Sequence, residues 1–104
     1  MSLPPLLDEA ELATWIAANP EWTLHDGKLS RSFEFESFRR AFAFMTEVAF
    51  IAEKLNHHPE WSNVYNRVDV TMTTHDVGGI TEYDMTVCGA MNDLAQLTGK
   101  DDPA

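Results

Sequence analysis

Three of the four histidines in this chain fall in two short segments: His57 and His58 within Glu53-Lys-Leu-Asn-His-His-Pro-Glu-Trp61, and His75 within Thr73-Thr-His-Asp76. Histidine is the side chain whose unperturbed pKa lets it both give and accept a proton near neutral pH. Three imidazoles gathered by a compact fold would suit general acid–base chemistry, or, by ligand type, a zinc or iron site with Glu53. Taken alone, the same residues also fit a set of solvated polar side chains. Adjacent histidines diverge, and no His-x3-His or Glu-x-x-His pair is present to ligate from one helix face. The proton-transfer reading is therefore preferred over the metal one.

The elements that must position these residues can be read from periodicity. Ser37 is a plausible N-cap for a long central helix from Phe38 to about Asn56. Phe38, Phe42, Met45, Ala49 and Ala52 form one apolar stripe, and Phe44, Val48, Ile51 and Leu55 form a second beside it. That arc is wider than a surface helix of a monomer needs, so burial or contact with another subunit is expected. Pro59 disfavours the helical region for His58 and stops the helix, leaving both histidines at its end. Glu53, at i and i+4 to His57, is expected to hold or polarise that imidazole.

Asn63 to Thr74 alternates, with Val64, Val68, Val70 and Met72 on one face and Tyr65, Arg67, Asp69, Thr71 and Thr73 on the other. His75 shares the polar parity and should not be buried. Asn66-Arg67 marks a bulge or a break into two strands. Upstream, Asp8 and Glu11 have capping-box spacing for a short helix carrying Leu12, Trp15 and Ile16, ended by Asn19-Pro20. Trp22-Thr-Leu24 reads as a strand, His25-Asp-Gly27-Lys as a hairpin turn, and Leu29 to Phe35 as the return. Arg31 interrupts its apolar face, which suggests an edge or a partner surface. Gly78-Gly79 makes a tight turn, Thr81-x-x-Asp84 caps the last helix, and Gly99 is its expected stop. Strands joined by a hairpin and covered by helices predict an α+β, two-layer domain with an antiparallel sheet.

Composition narrows the function further. The 104 residues suit one domain spanning 1–104, and 44% hydrophobic content is that of a globular chain. Seven basic against 17 acidic residues give a formal charge of -10, which repels phosphate backbones and argues against nucleic acid as a direct partner. No apolar run approaches a membrane span, and the first residues lack the basic region of a secretory signal. Cys88 is the one cysteine, which fits a reducing, cytoplasmic compartment; its apolar helical face suggests a core residue.

The combination Glu53-x3-His57-His58-Pro59, Trp61, Asn63-Val-Tyr65, Thr74-His75 and Asp84, within similarity running from about Trp22 to Leu94, resembles the pterin-4a-carbinolamine dehydratase family. The resemblance implies four strands backed by three helices, assembly into dimers or tetramers, and a hydro-lyase that needs no metal or redox cofactor. It implies dehydration of a 4a-hydroxytetrahydropterin, left by aromatic amino acid hydroxylases, to quinonoid dihydropterin, supporting tetrahydrobiopterin recycling. His57, His58 and His75 would be catalytic, with acid and base roles unassigned.

A pterin is flat and neutral, so aromatic faces and a few hydrogen-bonding groups should bind it. Trp22, Glu53, the backbone around Asn56, and Thr73 with Thr74 are the candidates, whereas Trp61 and Tyr65 are expected to pack. Val77 and Tyr83 stand where relatives often carry a cysteine and a basic residue, so the rim is expected to differ. Some relatives act instead as dimerisation cofactors or assembly factors. The alternative implied is therefore a protein-interaction module on the same fold.

Overall fold

The structure is a computed structural model, and residues 4–98 are described. Its helices are α1 (Glu9–Ala18), α2 (Phe38–Leu55) and α3 (Glu82–Thr98), with a 3-10 turn at His75–Val77. Its strands are β1 (Thr23–His25), β2 (Lys28–Glu34), β3 (Glu60–Val64) and β4 (Arg67–Met72), forming one antiparallel sheet in the order β1-β2-β4-β3. The fold is α+β, as the sequence pattern implies, with the three helices and four strands that the resemblance implies. The expected stop at Gly99 lies outside the described residues.

Local chemistry explains most boundaries. Asp8 accepts the Glu11 N–H at 2.7 Å to open α1, and Ser37 accepts the Arg40 N–H at 3.1 Å to open α2. Asp26 and Gly27 both take positive φ (51° and 72°), the two-residue turn that matches strand twist between β1 and β2. Tyr65, with φ 50°, turns β3 into β4. Of the two readings of Asn66-Arg67, the break into two strands is the one found, and the first strand begins earlier, at Glu60. The reversal also moves Val64 from the predicted inner face. Trp61 and Asn63 stand opposite Val70 and Val68, whereas Val64 stands opposite Arg67 and is exposed.

The core lies between the sheet and α2 with α3. Leu29, Phe33, Val68, Val70 and Met72 meet Ala41, Phe44, Val48, Val87 and Met91. Phe44 is wholly buried, with ring centroids 4.8 Å from Phe33 and 5.0 Å from Phe35. Its burial contributes about 1.5–3 kcal/mol before the aromatic contacts are added. Arg31 does not mark an edge, since β2 lies between β1 and β4; its guanidinium lies 4.2 Å from the Phe33 centroid and donates to Asn92 Oδ1 at 2.6 Å. Cys88 is buried in the same core, where loss of solvation, and secondarily the charge of Asp84, pushes its thiol well above the ordinary range. Native protein should therefore resist iodoacetamide near neutral pH and be alkylated only on unfolding. Labelling of the folded protein at the rate of a free thiol would contradict this packing.

The two stripes of α2 have different fates. Phe44 and Val48 face the core, with Ile51 and Leu55 half-buried. The rings of Phe38 and Phe42 lie tilted to each other at 5.7 Å yet are 48% and 54% exposed, and Phe50, on the same helix, is 70% exposed. Large apolar side chains are thus left in solvent along α2.

Candidate active site

The site forms where α2 ends. Asn56 takes the left-handed conformation at φ 50°, and the His57 N–H bonds Ala52 O at 2.9 Å. This closure turns the chain off the helix axis. His57 therefore leaves the face that carries Glu53, and the expected Glu53–His57 contact is not formed. Instead His57 Nε2 meets Asp84 Oδ1 at 2.6 Å, while His58 folds back so that its Nε2 meets Glu53 Oε1 at 2.8 Å.

Asp84 is a completely buried carboxylate. Its Oδ2 accepts from Thr81 N–H at 2.9 Å, which caps α3, and from the Thr74 hydroxyl at 2.8 Å. With the Thr74 proton spent on Asp84, the 2.9 Å contact between Thr74 and Thr81 must be a Thr81 hydroxyl donating to Thr74 Oγ1. Thr73 donates to Gly27 O at 2.9 Å. The hydroxyl protons of Thr73 and Thr74 thus brace the fold.

His75 opens the 3-10 turn rather than projecting from a strand, because β4 ends at Met72 and Thr74 O gathers the N–H groups of Val77 and Gly78. It is exposed, as expected, and its Nε2 lies 2.5 Å from Glu60 Oε1. Sequence reasoning gave Glu60 no role. The signal lies in the β3–β4 register, which sets Glu60 opposite Thr71, and that register is legible only once the turn at Tyr65 is located.

These contacts close a ring. His57 and His58 are consecutive, Glu60 follows two residues on and bonds His75, and Thr74, beside His75, bonds Asp84, which bonds His57. The three predicted histidines are thereby brought into one region. All three present Nε2 to a carboxylate, and an ionised carboxylate only accepts. In each neutral imidazole, Nε2 then carries the hydrogen and Nδ1 remains the free proton acceptor.

Of the three histidines, His58 lines a cavity of about 400 Å³, together with Ala49, Phe50, Ala52, Glu53, Pro59 and Trp61. Half-buried Trp61 both packs on the core and walls this cavity, while Tyr65, expected to pack, is 63% exposed at the β3–β4 turn. Trp22 does not line this cavity. It is 2% exposed, wedged against Trp15 and Phe33, and its Nε1 donates to Asn92 Oδ1 at 2.8 Å. Asn56 is exposed at the helix cap. The Tyr83 ring lies 5.8 Å from that of His57, so an aromatic forms this part of the rim. Among the described residues, no three His, Cys, Asp or Glu side chains are gathered into a metal-ligand set.

The architecture and the histidines together define a class: small α+β domains that hold an imidazole–carboxylate cluster where the central helix runs into the sheet. The sequence model of the pterin 4 alpha carbinolamine dehydratase family matches residues 5–94. The chain belongs to that family. It is 53% identical to a protein of Rhizorhabdus wittichii provisionally named pterin-4-alpha-carbinolamine dehydratase, over 92% of this chain and 100% of that one. A Sinorhizobium medicae protein with the same provisional name is 50% identical over 89% of this chain and 90% of its own. Among solved structures, a transcriptional coactivator/pterin dehydratase from Brucella melitensis superposes with a TM-score of 0.82 at 46% identity, covering 86% of this chain and 98% of that one. A pterin dehydratase-like protein identified as a RuBisCO assembly factor in the alpha-carboxysome shares the fold, with a TM-score of 0.59 at 21% identity, over 71% and 86%.

Proposed function

We propose that this protein dehydrates 4a-hydroxytetrahydropterins to quinonoid dihydropterins, using His57, His58 and His75 as the proton-transfer groups. The observation that carries this reading is the ring of contacts in which each imidazole is held through Nε2 by its own carboxylate. In the reaction the C4a–O bond breaks, a proton reaches the departing hydroxyl to make water, and a ring nitrogen gives up its proton. Imidazoles serve both transfers near neutral pH. The cavity between Trp61, Phe50 and His58 suits a flat heterocycle, with Glu53 and the backbone near Asn56 as hydrogen-bonding partners. The chemistry asks for no metal or redox cofactor. The lone reduced Cys88 suits a cytoplasmic enzyme that supports tetrahydrobiopterin recycling. Protein freed of metals with EDTA should accelerate carbinolamine decay as well as untreated protein does. Loss of activity that zinc or iron restores would favour the metal reading.

A second property rests on the exposed phenylalanines of α2. We infer self-association to a dimer or tetramer through this face, with a different protein as the alternative partner. Light scattering at micromolar concentration should give a dimer or larger, and Phe42→Asp should weaken assembly by about thirtyfold while the protein stays folded. A strict monomer would contradict the inference.

A further inference from the structure

We propose that Glu60 is a positioning residue that orients His75 and leaves Nδ1 as its proton-transfer nitrogen, an inference that rests on the dehydratase reading above. The His75 backbone is fixed by its turn: the Gly78 N–H bonds His75 O at 3.1 Å, and the Thr74 N–H bonds Gly79 O at 2.9 Å. The ring is not fixed by burial, since the side chain is 66% exposed. An imidazole on a pinned backbone in solvent still samples several rotamers. A carboxylate 2.5 Å from Nε2 selects the rotamer in which that nitrogen faces Glu60.

The sheet supplies the carboxylate by its register. Glu60 opens β3 directly opposite Thr71, so it flanks the chain as it leaves β4 toward His75. Pro59, immediately before it, restricts the backbone that leads into the strand. The same imidazole–carboxylate arrangement occurs at His57 with a buried partner, where it is braced by Thr74 and Thr81. At His75 it is built on the surface, where a contact of this kind carries little stability. Its consequence is orientation, and orientation acts on turnover rather than on folding.

The test is a double-mutant cycle with a spectroscopic readout. Glu60→Ala should lower kcat about three- to tenfold with KM nearly unchanged, as befits loss of one exposed pair. Glu60→Gln keeps an acceptor oxygen and should recover most of the loss. In a His75→Ala background, Glu60→Ala should have no further effect. In NMR spectra, Glu60→Ala should move the His75 ring signals and leave those of His57 in place. Unchanged His75 signals, a wild-type kcat in Glu60→Ala, or an equal loss in both backgrounds would overturn the proposal. A wild-type protein without activity would instead overturn the dehydratase reading, and is told apart because the His75 signals would still respond to Glu60→Ala.

Discussion

Asp84→Ala should be the most damaging single substitution at the site, lowering Tm by more than about 12 °C and abolishing most turnover. The carboxylate is completely buried and accepts from His57 Nε2, the Thr74 hydroxyl and the Thr81 N–H. Alanine leaves all three without their acceptor. Removing one partner of a buried, hydrogen-bonded pair costs about 3–5 kcal/mol. In a domain of this size, each kcal/mol corresponds to about 4–8 °C of Tm. Asp84→Asn separates stability from chemistry. The amide keeps one acceptor but adds a donor, and if Nδ2 faces His57 the ring must turn Nε2 into an acceptor, moving its hydrogen to Nδ1. The protein should then melt closer to wild type while turnover stays low. A Tm for Asp84→Ala within a few degrees of wild type would mean that the buried network does not carry the load assigned to it.

His58→Ala and His75→Ala should each lower turnover by about a hundredfold to ten-thousandfold, the contribution of one general acid or base. The dehydration also proceeds unaided in water, which favours the lower end. Both side chains are more than half exposed, so melting should change little. His57→Ala should cost both activity and stability. Its side chain is only 11% exposed, and its loss strips a donor from buried Asp84 at about 1–3 kcal/mol. His25, exposed beside Asp26 in the β1–β2 turn, is the internal control, and His25→Ala should be nearly silent. Turnover for His25→Ala as low as for His75→Ala would displace the site from the position argued for it.

Much of this arrangement was legible in the sequence, because local rules govern the parts that proved readable. Caps at Asp8, Ser37 and Thr81, the Asp26-Gly27 turn, and the end of α2 before Pro59 follow from side-chain chemistry within a few residues. The core stripe of Phe44 and Val48 follows from helical period. The failures share a different cause. The pairing of Glu53 with His57 assumed continuing helix geometry, whereas one left-handed residue, Asn56, redirects the chain and gives Glu53 to His58. The burial of Trp22 is decided by contacts with residues as distant as Asn92. Val64 was misassigned because alternation does not survive a strand reversal. Glu60 was passed over because its partner is set by sheet register, a tertiary fact. The family resemblance pointed to the histidines and Asp84, while the carboxylate partners of His58 and His75 became visible only in the folded chain.

The central claim is that these imidazoles transfer protons to and from a pterin carbinolamine. The direct measurement follows the decay of a carbinolamine generated by an aromatic amino acid hydroxylase, with and without catalytic amounts of this protein. The account predicts that decay accelerates in proportion to protein added, and that the acceleration largely disappears with His75→Ala at an unchanged melting temperature. A decay rate indifferent to the wild-type protein would contradict it.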